Sequence, residues 1–410
     1  MKKVRVSGSG IKSTQNIIIS GSKSESNRIL ILNSIFKNIS IKNLSSSDDT
    51  KVLHQILNSQ NSDLNVGHAG TSMRFLSAYL ATIDKKKFIL SGSERMHKRP
   101  ISILVKALND LGFNVSYLEN EGFPPLKIIG CKNTKNRVKL KANVSSQYIS
   151  ALMLIAPSLY GGLIIELDGQ VTSKPYIKMT LSILHKLGID SQINNNLIKV
   201  AQQNEIDPTT YEIESDWSSL SYFFSIVALS NNIELSFLNF KSDSYQGDIN
   251  LCRLYKLFGV NAEFEKNKLI IKKNNNFTHP KKIIIDLNDN PDLAQTILVT
   301  AFGLNIPIKI TGLSTLKVKE TDRLEAMYNE LTALGASSVI DDESIEIFER
   351  NNKLNKDHVI NTYDDHRMAL AFAPLSVIFP IQIHNPNVVS KSFPEFWKIL
   401  EKIKFSISYL

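Results

Sequence analysis

"LVKALNDLGFNVSYL" (residues 104–118) reads as a helix that ends at a glycine and runs straight into a strand. The pattern recurs as "LSILHKLGIDSQI" (181–193), "LCRLYKLFGVNAEF" (251–264) and "MYNELTALGASSVI" (327–340). Its glycines, Gly112, Gly188, Gly259 and Gly335, lie 76, 71 and 76 residues apart, and a left-handed glycine is a common way to end a helix. A period of this size marks repeated supersecondary units. A second series starts with polar, hydroxyl-rich residues and enters an apolar helix: "SKSESNRILILNSIF", "AGTSMRFLSAYLA", "SSQYISALMLIAP", "SSLSYFFSIVALS", "NPDLAQTILVTAF" and "DDHRMALAFAPLS". With Ser24, Thr71, Ser146, Ser219, Pro291 and His366 as equivalent starts, the gaps are 47, 75, 73, 72 and 75. Six units of helices and strands therefore fill the chain, the first being truncated or completed by another segment.

Strands alternating with helices at this period give an α/β fold. A chain of 410 residues exceeds one ordinary core, so two domains of three units each are expected. If three like units close around an axis, their equivalent helix starts share one end of the domain. Two such ends facing each other would line a cleft with six helix N-termini, which attract anions. The formal charge, 48 minus 39 or +9, suits either nucleic acid or a small polyanion. No apolar h-region follows the basic start and no run is long enough to span a bilayer, so a cytoplasmic protein is expected. Cys131 and Cys252 form no CxxC motif and the eight histidines show no ligand spacing, so neither a disulfide framework nor a metal is indicated.

In "YDDHRMALAFAPL" (363–375) Arg367 sits at a helix start, where the dipole disfavours a cation. Arg28, Arg74 and Arg323 do the same, with Lys23, Arg99 and Lys319 in or just before similar turns. Local pairing is one reading, with Glu25 for Arg28, Glu320 or Asp322 for Arg323 and Asp365 for Arg367. "AGTSMR" (69–74) has no acid nearby, and the repetition favours a ligand with several anionic groups, since Arg recognises phosphate and carboxylate bidentately. Ser145, Ser146 and Ser173 are ordinary N-caps singly, but with Lys319 they compose a phosphate site. In "KVKETDRLEAM" (317–327) Asp322 with Glu325 resembles a capping box, and Glu320 between Lys319 and Arg323 is either structural or a general acid or base. Asp292, after Pro291, has ordinary helix capping as its bland alternative. These cations sit beside Gly, Ser and Thr rather than on aromatic-studded faces, which argues against a nucleic-acid-binding module.

"GSKSESNR" (21–28), "AGTSMR" (69–74), "ERMHKRPI" (94–101), "NVSSQY" (143–148), "SKPY" (173–176), "KVKETDR" (317–323), "DDHRMA" (364–369) and "SKSFPEF" (390–396) together resemble the 5-enolpyruvylshikimate-3-phosphate synthase family. The resemblance implies the two-domain enolpyruvyl-transferase fold, each domain three βαβαββ units around a pseudo-threefold axis. The expected division is 1–12 with 214–410 as domain I and 13–213 as domain II, with the active site in the cleft between them. It implies the shikimate-pathway transfer of enolpyruvyl from phosphoenolpyruvate to the 5-hydroxyl of shikimate 3-phosphate, releasing phosphate, with no cofactor or metal. Glyphosate would occupy the phosphoenolpyruvate pocket.

By motif, Lys23, Gly70, Arg99, Gln147, Arg323, Arg367 and Lys391 would hold phosphoenolpyruvate. Ser24 and Arg28 would take the shikimate carboxylate, Ser145, Ser146, Ser173 and Lys319 its phosphate, and Gln147, Tyr176 and Thr315 its ring. Asp292 would accept the 5-hydroxyl proton, and Glu320 with Lys23 would protonate the methylene carbon. His68, Phe75 and Thr315 depart from the family pattern, which usually has Asn, Pro and Asn there. The sister enzyme acting on UDP-N-acetylglucosamine is the rival, but it typically uses a loop cysteine near "GSERMHKRPI", which has none. The expected partners are the two small anionic substrates, bound by a monomer, with neither nucleic acid nor membrane.

Overall fold

All six polar-to-apolar starts become helices in the computed structural model, which describes residues 2–141, 145–169, 173–350 and 353–410. They are Lys23–Phe36, Gly70–Ala81, Ser146–Ile155, Trp217–Leu229, Ala294–Leu304 behind the 3-10 turn Pro291–Leu293, and His366–Phe372. Helices apolar on all sides belong inside a protein, and every residue of His366–Phe372 is buried. The first three touch one another, and Ala294–Leu304 packs against both Trp217–Leu229 and His366–Phe372. Where these helices meet, buried hydroxyls satisfy each other: Thr300 donates to Ser225 Oγ at 2.7 Å, and Ser221 and Thr296 lie 3.2 Å apart. Unpaired, each would cost about 1–3 kcal/mol. The four predicted capping glycines follow the outer helices with φ of 96°, 75°, 74° and 105°.

The chain divides into two compact units, Met1–Ser20 with Glu214–Leu410 and the inserted Gly21–Ile213. Each has its own apolar core, one around Trp217, Phe223 and Phe302, the other around Ile29, Leu76 and Leu152. The inserted unit holds two four-stranded sheets, in spatial order Asp63–Asn65, Lys87–Ser91, Leu126–Ile129, Asn114–Tyr117 and Arg137–Lys141, Leu163–Asp168, Leu197–Val200, Ser191–Asn194. In both, the first pair is parallel and the other two antiparallel, which is the signature of a βαβαββ unit. The discontinuous unit repeats that order three times. One of its sheets takes Thr14–Ile17 as the first strand, alongside Glu234–Leu238, and another is completed by Lys3–Ser7 between Ile381–His384 and Ser406–Tyr409.

The short first gap now has its cause. Among the described residues, the unit that begins with Lys23–Phe36 has only a two-stranded sheet, Ile39–Lys42 parallel to Thr209–Glu212, and no closing hairpin. Its first strand arrives from the far end of the insertion. In the same way Thr14–Ile17 leads into Lys23–Phe36 along the chain but pairs in the sheet that covers Trp217–Leu229. The chain therefore leaves the discontinuous unit after Ser20, not after residue 12, because the ladder to Leu235 and Phe237 holds Thr14–Ile17 there. Among the described residues, no helix is long and apolar enough to cross a membrane.

Candidate active site

The candidate residues fall into two sets, one in each unit. In the discontinuous unit, Asp292, Lys319, Glu320, Arg323, Arg367 and Lys391 form one network. Arg323, buried at the start of the helix Arg323–Ala333, donates from Nε to Asp365 Oδ2 at 2.7 Å, from Nη1 to Asp292 Oδ1 at 3.1 Å and from Nη2 to Glu320 Oε2 at 2.8 Å. Burial alone would lower its pKa, but Asp365, Glu320 and Asp292 outweigh that and raise it. Arg367 donates to Asp292 Oδ2 at 3.0 Å and to the Asp292 carbonyl at 2.9 Å. Lys391 Nζ lies 2.8 Å from Glu320 Oε1, and Lys319 Nζ 3.9 Å from Asp292 Oδ1. Asp292 and Glu320 thus sit among four cations, of which Arg323 and Arg367 lie at helix entrances and Lys391 ends the 3-10 turn Pro386–Lys391.

Local pairing accounts for part of this, with Glu320 serving Arg323 as the sequence suggests. Asp365 caps its helix by accepting from Arg367 N at 2.9 Å, yet its carboxylate also takes Arg323, 42 residues away. Asp322 caps Arg323–Ala333 by accepting from Leu324 N and Glu325 N at 3.1 and 3.2 Å. Asp292 is an acid in the first turn of Pro291–Leu293, as its bland reading predicts, but its carboxylate also faces Arg323 and Arg367. The Thr315 hydroxyl is buried with no hydrogen-bond partner among the described residues.

In the inserted unit, Arg28 is buried in the helix Lys23–Phe36. It donates from Nε to Thr180 Oγ1 at 2.8 Å, from Nη1 to the Ser24 carbonyl at 2.7 Å, and from Nη2 to Ser150 Oγ at 3.1 Å and the Tyr176 carbonyl at 3.4 Å. All four acceptors are neutral. Glu25 opposes the effect of burial on Arg28 through its charge, while its carboxylate accepts from the Tyr211 hydroxyl at 2.7 Å. Burial lowers the Arg28 pKa to about 10, so the group remains a cation at neutral pH. Lys23 lies 3.4 Å from Asp49, a partner that sequence reading missed because Asp49 passes there as an ordinary first-turn acid.

Arg99 sits against Gly70: a Cβ at Gly70 would come 2.4 Å from Arg99 Nη1. Arg74 braces its own turn, donating to the carbonyls of Gly70 and Pro100 at 3.0 and 3.2 Å. Gln147 donates to Thr71 Oγ1 at 3.2 Å. Ser145 caps the helix Ser146–Ile155 by accepting from Gln147 N at 3.3 Å, as its bland reading predicts. Ser173 behaves otherwise: it precedes Lys174–Lys186 at φ 52° with no side-chain capping bond, a conformation that costs a non-glycine residue energy. Asn143, Val144 and Thr172 of the neighbouring motifs lie outside the described residues.

The sequence model of EPSP synthase (3-phosphoshikimate 1-carboxyvinyltransferase) matches residues 53–400. The chain belongs to the EPSP synthase family. It is 42% identical over 409 residues to the 3-phosphoshikimate 1-carboxyvinyltransferase of Bacteroides fragilis, covering 97% of both chains. It is 35% identical to the same-named protein of Vibrio campbellii, covering 93% of this chain and 95% of that one. The fold matches a solved EPSP synthase from Acinetobacter baumannii at a TM-score of 0.77 and 20% identity, over all of both chains. It also matches the enolpyruvyl transferase NikO from Streptomyces tendae at 0.73 and 13%, over 99% of this chain and 98% of that one. The two-domain enolpyruvyl-transferase fold and the transferase class expected from the sequence are therefore established, and the UDP-N-acetylglucosamine alternative is not favoured. Burial also pushes the Cys252 thiol up to about 12, which disfavours its thiolate.

Proposed function

We propose that the two sets of residues act on one substrate pair, transferring the enolpyruvyl group of phosphoenolpyruvate to the 5-hydroxyl of shikimate 3-phosphate and releasing phosphate. The observation that carries this reading is the pair Asp292 and Glu320, two carboxylates held among Lys319, Arg323, Arg367 and Lys391. Such a cluster supplies proton acceptors and anion binders in one place. Glu320, with Lys23, delivers a proton to the methylene carbon of phosphoenolpyruvate, leaving the adjacent carbon cation-like. The 5-hydroxyl oxygen bonds to that carbon while its proton passes to Asp292. Loss of a methyl proton and departure of phosphate with its bonding electrons then restore the enol ether.

Lys23, Gly70, Arg99, Gln147, Arg323, Arg367 and Lys391 hold phosphoenolpyruvate in this reading. Arg28 and Ser24 take the shikimate carboxylate; four of the five guanidinium donors are spent on neutral groups, leaving one Nη1 N–H for the anion. Ser145, Ser146, Ser173 and Lys319 take the phosphate, and Gln147 and Tyr176 lie near the ring. The buried Thr315 hydroxyl meets a ring hydroxyl. The enzyme is cytoplasmic and monomeric in this reading. Phosphate release is the test: the protein should release phosphate from phosphoenolpyruvate with shikimate 3-phosphate and not with UDP-N-acetylglucosamine. Release only with the second acceptor, or with neither, overturns the reading.

A further inference from the structure

A fully buried guanidinium normally needs a carboxylate to offset its lost hydration. Among the described residues no carboxylate hydrogen-bonds or ion-pairs with Arg28, and Glu25 acts on its charge only at longer range. What lies against it instead is aromatic. The Phe75 ring centroid is 5.5 Å from Arg28 Cζ and that of Tyr176 is 5.8 Å away, both within the range of a cation–π contact. Phe75 is buried on the helix Gly70–Ala81, and Tyr176 is on Lys174–Lys186. With Thr180 and Ser150 they enclose the guanidinium from three helices other than its own. The helix Gly70–Ala81 runs uninterrupted through Phe75.

We propose that Phe75 is a positioning residue for the acceptor substrate, its ring holding the Arg28 guanidinium in place where no carboxylate touches it. An aromatic face suits that task better than an acid would. It attracts the cation without neutralising it, so the charge stays available to a substrate carboxylate, whereas a carboxylate at this position would compete with the substrate. The inference rests on the assignment of Arg28 to the acceptor's carboxylate.

The test replaces Phe75 with Met, with Tyr, and with phenylalanines carrying one, two and three ring fluorines, which keep the shape while weakening the negative face. Loss of a desolvated cation–π contact corresponds to about 5- to 30-fold in affinity. F75M should raise the KM for shikimate 3-phosphate by that factor and leave the KM for phosphoenolpyruvate within about twofold. F75Y should behave as wild type, and each added fluorine should raise the acceptor KM further. The fluorinated series decides the matter even if F75M fails to fold. An active wild type whose acceptor KM is indifferent to fluorination, or whose two KM values rise together, overturns this inference alone. A wild type that releases no phosphate from this substrate pair overturns the functional reading and the inference with it.

Discussion

Asp292 shows how one residue separates a structural role from a chemical one. Its carboxylate accepts from two guanidinium groups and takes the 5-hydroxyl proton in the proposed reaction, so Asp292→Asn, which keeps the shape and one acceptor, removes that ability together with a charge facing Lys319, Arg323 and Arg367. The chemical step should slow by about a hundredfold or more, while calorimetry shows shikimate 3-phosphate still bound. A folded variant keeping more than about a tenth of wild-type turnover, with chemistry rate-limiting, would assign the proton transfers elsewhere. Gly70 offers a complementary case. Alanine there would place a methyl group 2.4 Å from Arg99 Nη1, and only the end of that flexible side chain has to move. Gly70→Ala should keep its melting temperature, raise the KM for phosphoenolpyruvate about tenfold through the displaced guanidinium, and leave that for shikimate 3-phosphate nearly unchanged. Equal change in both would mean that Arg99 does not serve phosphoenolpyruvate.

At the scale of elements, the turn Gly247–Asn250 is tied to two helix starts by one acid. Asp248 accepts from Ser218 Oγ at 2.5 Å and from Asn290 Nδ2 at 3.1 Å. Burial pushes its carboxyl up to about 6, with Asp292 adding to the rise and Ser218, Arg367 and Asn290 opposing it. In the unfolded chain the same group titrates near about 3.9. The native state thus holds the proton more tightly, so this contribution to stability is complete below pH 4 and is lost as pH rises through 6. Asp248→Asn, which mimics the protonated form, should flatten that slope. Its stability relative to wild type should improve by roughly 2 kcal/mol between pH 4 and 7 in urea titrations, and identical pH slopes would refute the assignment.

What the sequence makes legible at this scale is what is encoded locally. A polar cap before an apolar helix, or a glycine after one, is complete within a few residues, and every such element is where its pattern puts it. Pairing between distant segments leaves no such trace. Nothing in "TTYE" says that it lies beside "ISIK", 170 residues earlier, and nothing near Thr14 shows its strand pairing with Glu234–Leu238. Arg28, Arg323 and Arg367 are legible for the local reason, since a cation in or near a first turn contradicts the dipole, whereas Lys391 enters only through the family motif. The partners of the cations are not: Asp365 reaching Arg323, Asp49 reaching Lys23 and Phe75 lying against Arg28 depend on how the helices pack.

For the whole molecule, the division at Ser20 and Glu214 predicts that the insertion is an independent folding unit. A fragment of residues 21–213 contains both strands of its smallest sheet and its own core, and should unfold cooperatively in urea with native-like circular dichroism. A broad, featureless transition would show that its stability comes from the rest of the chain. Closing the remainder is equally direct, because Ser20 and Asp216 are already joined by a backbone hydrogen bond of 3.1 Å. The chain's own ends meet as well: Leu410 N donates to the Lys3 carbonyl at 3.0 Å, and Ser406–Tyr409 runs antiparallel to Lys3–Ser7. Under mechanical tension applied at the two ends, that geometry loads the ladder one rung at a time, because antiparallel hydrogen bonds lie across the strands and both ends leave from the same side. The sheet would open like a zipper at low force. The inserted unit, whose two connections emerge side by side, would carry no load until the unit around it had given way.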